Sequence, residues 1–340
     1  MDVIVNAPSV IIISQEDIKV KGQKEEKTEE KLEKWAEKKI KSKKIAIKMR
    51  QIGEEKRAKR MYFCADVLEY SHCNECDTWH IKRANLCRDR FCPTCSWRLS
   101  LQRFGEMQKL LNVICERDGE KIRGWSLVTL TVKNCKLDKL SETMETMSEA
   151  WKLTINQRKI KPCFYGWAKS TELTLNEHTR EVHPHYHVLI AWYEKADKLL
   201  ISKWINACAK KGLKVDIKAQ NAQQINFWRG NDVPVEHYDS KVPEDFTKAI
   251  LETFKYSIKG SDLESMSLRE FKAVIQQYAR KRLISYGGKI KEYVKELRLE
   301  MDEVKDEDIE LNICRDCGAL ELEKVAYKWA FGQNAYIKID

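Results

Sequence analysis

The sequence predicts an α+β protein, in which an antiparallel sheet carries flanking helices and a cysteine-rich module precedes them. From Trp125 onward, the pattern of apolar residues indicates elements in the order strand, helix, strand, strand, helix, strand, helix. That order is typical of an antiparallel sheet with helices packed on it. Ahead of this region, six of the twelve cysteines lie between Cys64 and Cys95. Clustering at two-residue spacing indicates metal binding.

Length and composition indicate a globular protein. The chain has 340 residues, of which 43% are hydrophobic and 34% charged, enough for two or three folded units with a charged surface. No segment approaches the roughly 20 apolar residues that cross a bilayer. The apolar stretches Val3–Val5 and Val10–Ile13 are interrupted and follow no basic region, so we predict no signal peptide. We therefore expect a cytoplasmic location, where cysteines stay reduced.

The distribution of charge favours a polyanionic partner. The formal net charge of +10 favours such a partner only weakly by itself. Between Lys41 and Arg60, nine basic residues are accompanied by only two acidic ones, Glu54 and Glu55. Such a run occurs both on a solvated helix and on a surface that contacts phosphates, and both interpretations stay open.

Composition divides the chain into four parts. Residues 1–60 are predicted to form a charged arm that is helical or flexible, and 61–105 form the cysteine-rich module. Residues 106–290 form the main domain, and 291–340 form a C-terminal appendix with a second CxxC pair. This division predicts one large domain with smaller units on both sides of it.

The main domain has recognisable strand and helix patterns. Alternation and β-branched residues predict strands at 125–132, 167–175, 184–191 and 213–219. Helical periodicity and Pro or Gly boundaries predict helices at 138–157, 196–211, 243–259 and 267–299.

A histidine pair in one predicted strand offers two ligands to a metal ion. His185 and His187 flank Tyr186 within an apolar strand. Side chains two residues apart on a strand lie on the same face of the sheet, so both imidazoles reach one point. The alternative to a metal site is that His185 and His187 are simply two surface histidines at the edge of a sheet. His183 lies on the same alternating face and is a fallback ligand.

Glu172 is the predicted third ligand. If the strands at 167–175 and 184–191 pair antiparallel across the polar turn between them, Glu172 lies close to His185 and His187. Two imidazoles and one carboxylate suit Mg²⁺ or Mn²⁺ that holds a phosphate oxygen. A surface position on the hairpin is the alternative for this glutamate.

Three polar residues of the helix at 243–259 are candidates for phosphoryl transfer. Glu252, Tyr256 and Lys259 stand at i, i+4 and i+7 and share one narrow arc of a helix. A tyrosine can attack phosphorus, a lysine can neutralise the developing charge, and a glutamate can activate water. Taken alone, such a stripe is usually a solvated helix face.

The cysteines predict a structural zinc site. The candidate ligands are Cys64, Cys73, Cys76, Cys87, Cys92 and Cys95. The C-x-x-C pairs at 73–76 and 92–95 have the spacing of two zinc knuckles. In an alternative set, Cys64 and Cys87 join the pair at 92–95, and in another all six cysteines share a larger arrangement with His72 or His80. The pair at 314–317 either completes a second site with cysteines of this module or stays reduced.

Together, these residues resemble the Rep type 1 family of rolling-circle replication initiators of small bacterial plasmids, which are HUH endonucleases. The resemblance covers roughly residues 61–288. It is carried by four segments in the family's order, Cys87–Cys95, Val128–Thr131, His183–Val188 and Glu252–Lys259. Each segment alone is weak evidence for the family. The resemblance is specific because all four occur in the family's order.

The resemblance implies a fold, a reaction and partners. The fold would be an HUH domain with a ferredoxin- or RRM-like core beside the zinc-binding module. The reaction would be metal-dependent nicking of one DNA strand at the plasmid double-strand origin, where the nick site is single-stranded. Host helicase and polymerase are implied partners. His185 and His187 match the HUH pair, with Glu172 as the third ligand of the catalytic ion.

The resemblance also implies roles in covalent chemistry. Tyr256 matches the nicking tyrosine, which stays joined to the 5′-phosphate and leaves a 3′-OH primer. Glu252 matches the acid that activates water at termination, and Lys259 matches the lysine of the family's YxxK pattern.

Two other classes of function explain part of the sequence. A single-strand DNA transposase or a conjugative relaxase would share the histidine pair, although relaxases usually place the tyrosine before the histidines. A non-catalytic zinc-ribbon DNA-binding regulator would explain the cysteines and the charge. It would leave His185, His187 and Tyr256 without a role.

Overall fold

The computed structural model describes residues 28–225, 244–255, 258–279, 281–299, 314, 316–320 and 322–339. The α-helices in these ranges are α1 Thr28–Gln51, α2 Glu55–Tyr62, α3 Pro93–Asp118, α4 Leu140–Ile155, α5 Asp197–Lys210, α6 Glu244–Phe254, α7 Gly260–Ser265, α8 Leu268–Tyr278 and α9 Gly288–Glu296. The strands are β1 Val67–Cys73, β2 Thr78–Ala84, β3 Gly124–Thr131, β4 Phe164–Leu175, β5 Val182–Trp192, β6 Asn221–Ile225, β7 Ile284–Gly287, β8 Leu322–Ala330 and β9 Ala335–Ile339. None of the described helices combines the length and apolar character that crossing a bilayer requires.

The strands form two antiparallel sheets, so the predicted α+β class with flanking helices is confirmed. The larger sheet has the strand order β6-β3-β5-β4-β7, and the smaller has the order β2-β1-β8-β9. From β3 to α6, the elements follow the predicted order of strands and helices. Neighbouring strands of both sheets run antiparallel.

Helices cover both faces of the larger sheet. On one face, Trp151 of α4 and Trp204 of α5 pack in a core with Tyr186 of β5. On the other face, Phe104 of α3 and Phe254 of α6 pack in a second core with other residues of the sheet. Both sides of the sheet are therefore covered, which explains the long runs of buried positions in β4 and β5.

The smaller sheet joins distant parts of the chain. β8 pairs with β1 from Val67 opposite Lys328 to Cys73 opposite Leu322, and β9 extends the sheet at its edge. The C-terminal hairpin is thus part of the same sheet as the cysteine-rich hairpin of β1 and β2.

Helix α1 packs into this module through its apolar side chains. Trp35, Ile45 and Met49 are buried, and Trp35 meets Trp97 of α3 edge to face at 5.0 Å. The buried Lys39 donates hydrogen bonds to two main-chain carbonyls and to Asp66. A buried ammonium is tolerated because these acceptors replace its water.

The predicted strand at 213–219 is wrong. The structure has a 3-10 turn at Ile217–Ala219, and the strand follows it at Asn221–Ile225. The Asp216 side chain accepts a hydrogen bond of 3.0 Å from the Lys218 amide. This local side-chain contact favours a turn over an extended backbone.

The predicted helix at 267–299 is also wrong, because β7 interrupts it between α8 and α9. Strand β7 pairs with β4, and Gly288 then turns the chain with φ +60°. A Cβ atom at Gly288 would lie 2.4 Å from the carbonyl oxygen of Tyr165. Glycine permits both the positive φ and this close approach to β4.

The predicted helix at 243–259 ends early, since α6 stops at Phe254. Ile258 forms an isolated parallel bridge with Leu173 of β4, and Lys259 occupies the position directly before α7. Gly260 therefore begins a helix rather than ending one. Pairing with the sheet edge takes the chain out of the helix, so Lys259 does not share the helical arc of Glu252.

Candidate active site

The register of β4 and β5 brings together Glu172, His185 and His187. Glu172 stands directly opposite His185, and Ser170 stands opposite His187. The Oε2 atom of Glu172 lies 3.1 Å from Nε2 of His185 and 2.9 Å from Nε2 of His187. All three side chains are buried. The expected meeting of the carboxylate with both imidazoles is thus present in the structure.

Hydrogen bonds to the second ring nitrogens orient the two imidazoles. Nδ1 of His185 lies 3.2 Å from the carbonyl oxygen of His183, and Nδ1 of His187 lies 3.3 Å from Oγ1 of Thr129. A proton held at Nδ1 leaves the lone pair of a neutral imidazole at Nε2, as in a metal ligand. The Nε2 atoms of both rings face Oε2 of Glu172.

The fallback ligand His183 does not join the group. Its Nδ1 atom lies 2.8 Å from Oδ1 of Asn134, and its ring centroid is 5.3 Å from that of His185. The cluster that could hold a metal ion contains Glu172, His185 and His187 without it.

The donor set fits a divalent cation. Its ligand atoms, two imidazole nitrogens and one carboxylate oxygen, lie within 4.8 Å of one another. Burial raises the pKa of Glu172, but hydrogen bonds with His185, His187 and Lys255 outweigh it and hold that pKa well below its usual range. A buried carboxylate that stays ionised needs a positive charge beside it, as a metal site provides.

Lys255 is a site residue that the sequence analysis missed. Its Nζ atom lies 3.0 Å from Oε2 of Glu172 and 2.6 Å from Oε1 of Glu252. Burial lowers the pKa of Lys255, but these hydrogen bonds outweigh it and raise that pKa. The available signal was its position, three residues after Glu252 and directly before Tyr256.

Of the three candidates for phosphoryl transfer, Glu252 lies at the cluster. Its Oε1 atom is 3.5 Å from Nε2 of His187. Tyr256 lies outside the described residues. Lys259 is exposed and begins the segment that leads into α7. The structure therefore brings one of the three to the histidines and separates Lys259 from α6.

A basic groove adjoins the cluster. It has a volume of about 280 Å³ and is lined on several sides by cations. These are Lys38, Lys41, Arg90, Lys255 and Lys259. No acidic side chain is among the described residues that line it. Phe91 and Pro93 add apolar surface, a combination that suits a nucleic-acid strand.

The cysteines form two clusters. Cys64, Cys87, Cys92 and Cys95 make the first, and all four are buried. The Sγ atom of Cys95 lies 3.5 Å from that of Cys64 and 3.6 Å from that of Cys87. The alternative set of the sequence analysis is therefore the one that the structure assembles.

The grouping of the 73–76 pair with the 92–95 pair is wrong. Cys73 and Cys76 lie with Cys314 and Cys317. Pairing of β1 with β8 brings the two ends of the chain together, a contact that local spacing cannot indicate.

Comparison with known proteins identifies the family. A family model described as "Replication protein" matches residues 78–337. A "Protein rep" of Bacillus amyloliquefaciens is 30% identical over 300 residues, covering 83% of this chain and 85% of that protein. A "Protein rep" of Lactiplantibacillus plantarum is 28% identical over 334 residues, covering 92% and 98%. No solved structure matches the chain significantly.

The chain belongs to this family of replication proteins. The family is that of the Rep type 1 initiators of rolling-circle plasmid replication, so the resemblance inferred from the sequence motifs is confirmed. The order of the matched segments along the chain, rather than any one of them, carried that inference.

Proposed function

We propose that this replication initiator nicks one DNA strand at the plasmid double-strand origin and remains joined to it through Tyr256. The observation that supports this most strongly is the buried cluster of Glu172, His185 and His187. Glu252 and Lys255 lie beside it, and the cluster adjoins a groove lined by cations.

A divalent cation, Mg²⁺ or Mn²⁺, would be held by Glu172, His185 and His187 and would polarise the scissile phosphate. Lys255 adds a fixed positive charge beside the same carboxylate, at 3.0 Å. That ammonium stabilises negative charge that develops on the phosphate. Lys259 also lines the groove and would hold the strand.

In the proposed first step, the phenolic oxygen of Tyr256 attacks phosphorus and loses its proton to solvent. A phosphotyrosine bond to the 5′ side forms, and the bond from phosphorus to the 3′ oxygen breaks. That oxygen takes up a proton and becomes the 3′-OH primer. In termination, Glu252 removes a proton from water, which attacks the phosphate at the regenerated nick site and breaks its bond to the 3′ oxygen, giving a new 3′-OH. That 3′-OH attacks the phosphotyrosine, and the bond from phosphorus to Tyr256 breaks as the strand closes and the phenol takes up a proton.

The groove gives the proposed path of the strand. Five cations line it, and each neutralised phosphate contributes to binding through release of counterions. We assign the larger sheet, β6-β3-β5-β4-β7, to the HUH core, and the first cysteine cluster to a structural zinc ion that holds the N-terminus of α3. Host helicase and polymerase are the proposed partners.

A plasmid nicking assay tests the proposal. Incubation with Mn²⁺ and a supercoiled plasmid that carries the origin should give nicked circles and a covalent DNA–protein adduct. Tyr256→Phe should abolish both, because it removes the nucleophilic oxygen. Tyr193→Phe, at an exposed tyrosine, is the matched control and should retain both.

Unchanged nicking by Tyr256→Phe would move the nucleophile elsewhere. Tyr278 is fully buried and its hydroxyl donates to the carbonyl oxygen of Thr171 at 3.3 Å, so Tyr286 would be the next candidate. If the wild-type protein bound the plasmid but formed no covalent adduct, the result would favour a non-catalytic zinc-ribbon regulator. Membership of the replication family favours replication over transposition or conjugation.

A further inference from the structure

Four cysteines that the proposed nicking reaction does not use meet at the junction of the N-terminal module and the C-terminal hairpin. Cys73 ends β1, Cys76 lies in the turn before β2, and Cys314 and Cys317 precede β8. Their sulfur atoms all lie within 4.8 Å of one another. Cys73 and Cys317 are 244 positions apart in the sequence, so only the tertiary structure assembles the group.

The distances between sulfur atoms match ligands of a common ion. Sγ of Cys73 lies 3.5 Å from Sγ of Cys317, and Sγ of Cys76 lies 3.5 Å from Sγ of Cys314. A disulfide would require about 2.0 Å. Four thiolates around one zinc ion at about 2.3 Å stand roughly 3.8 Å apart at the corners of a tetrahedron. The observed spacing is close to the second value and far from the first.

The backbone of the C-terminal pair curls around its sulfur atoms. The Cys314 amide donates to the carbonyl oxygen of Ala319 at 2.7 Å, and the Gly318 amide donates to that of Cys314 at 2.9 Å. Gly318 has φ +77°, a conformation that favours glycine. This tight turn is what a C-x-x-C-G metal knuckle requires, because both sulfurs must face the same point.

A hydroxyl group bridges the two halves of the cluster. Oγ1 of Thr78 lies 3.0 Å from Sγ of Cys76 and 3.6 Å from Sγ of Cys314. Hydrogen bonds to coordinating sulfurs are typical of the shell around a metal ion. One ligand from each pair thus has the same polar neighbour.

We propose that Cys73, Cys76, Cys314 and Cys317 bind a second structural zinc ion. This ion would join the C-terminal hairpin of β8 and β9 to the hairpin of β1 and β2. Four protein ligands close the coordination sphere and leave no position for a substrate, so the site is structural. A chain that failed to nick DNA would still bind this ion.

Metal content tests the site directly. The full-length protein, purified without chelators, should contain about two zinc ions per chain by mass spectrometry of the metal. The double substitution Cys314→Ser and Cys317→Ser should reduce the content to about one. Cys115→Ser and Cys208→Ser, outside both clusters, are the matched controls and should leave it unchanged. Equal zinc content in the wild type and the double variant would overturn the proposal, and an iron content would assign the site to another metal.

Alkylation of the wild-type protein gives a second test. Because it needs no substitution, its result does not depend on whether a variant folds. Cys317 is exposed, so its free thiol would react with iodoacetamide as a surface cysteine does. A bound zinc ion should protect Cys317 until a zinc chelator is added, whereas Cys115 should react alike in both samples. Rapid alkylation of Cys317 before chelation would contradict a bound metal.

Hydrogen exchange tests the proposed junction. Removing the second ion should increase exchange of the β8 amides about tenfold, because the hairpin would open locally. The amides of β5, in the other sheet, are the internal control. Unchanged exchange in β8 of the zinc-depleted double variant would show that the ion does not hold the hairpin.

Discussion

At the scale of single residues, the site depends on one ionised carboxylate. The Oε2 atom of Glu172 contacts His185, His187 and Lys255. These partners keep the pKa of Glu172 low in spite of burial. Glu252 is more exposed than Glu172 and meets the cluster from the end of α6. Two glutamates in different surroundings can therefore serve different roles, one as a ligand and the other as a base.

Glu252→Gln should separate the two halves of the proposed reaction. Nicking should persist, because the substitution leaves the three proposed metal ligands in place. Release of the DNA from Tyr256 should slow by about 10²-fold, since the amide cannot accept a proton from water. The amounts of adduct and released circle over time measure both steps.

Glu142→Gln, at an exposed position on α4, is the matched control for this prediction and should behave as the wild type. An equal loss of nicking and of release in Glu252→Gln would refute the role of a base that acts at termination alone.

At the scale of elements, β4 carries different functions on its two faces. Glu172 contacts His185 and His187 on one face, while Lys169 packs on the opposite face with its Nζ atom 3.5 Å from the ring centroid of Tyr186. Burial, together with the nearby Arg282, lowers the pKa of Lys169 to about 7. A strand that alternates in this way places a buried lysine against Tyr186, in the core of α4 and α5.

Lys169→Met should make the stability of the protein less dependent on pH. The folded pKa of Lys169 lies below the value of 10.5 for an ordinary lysine. Between the two values, the unfolded chain binds one more proton at this residue, so the wild type gains stability as pH rises. The gain is at most about 1.4 kcal/mol per pH unit.

Urea denaturation at pH 7.5 and pH 9 measures this effect. Lys169→Met should be more stable than the wild type at the lower pH, by about 2 kcal/mol, and the difference should shrink at the higher pH. Lys152→Met, at an exposed lysine, should follow the wild type. A difference that stays constant with pH would contradict a buried neutral lysine.

At the scale of the whole molecule, the groove combines distant parts of the chain. Lys38 and Lys41 come from α1, Arg90 from the loop before α3, and Lys259 from the loop before α7. Arg90 donates to the carbonyl oxygens of Tyr278 and Lys281, so it also holds the loop after α8. Of the cations that line the groove, Arg90 also holds this loop and Lys255 contacts Glu172. Lys38 and Lys41 of α1 are therefore the residues to substitute in a test of DNA binding.

The double substitution Lys38→Gln and Lys41→Gln should weaken binding of a single-stranded origin oligonucleotide. The salt dependence of log K should become shallower by about 1.4, because two phosphate contacts are lost at about 0.7 each. Fluorescence anisotropy at several salt concentrations measures this slope.

Lys152→Gln with Lys198→Gln, two exposed lysines on α4 and α5, gives the same loss of charge on another face. That control should leave the slope unchanged. An equal change in both double variants would mean that net charge, and not the groove, determines binding.

The sequence by itself determined the order of elements from β3 to α6 and the face on which the histidines lie. Alternation along β5 sends His185 and His187 to the same side, and the short turn at 176–180 determines which residues of β4 stand opposite them. These are consequences of local geometry. The predicted meeting with Glu172 followed from them without knowledge of the tertiary structure.

Only the tertiary structure decided where the helix after residue 243 ends, which lysine lies at the cluster and how the cysteines divide. Ile258 leaves the helical path to pair with β4, so Lys255 rather than Lys259 contacts Glu172. Cys73 and Cys76 meet Cys314 and Cys317 because β8 pairs with β1. Such contacts join residues far apart in the chain, and their free energy depends on the packing of whole sheets, which local patterns do not encode.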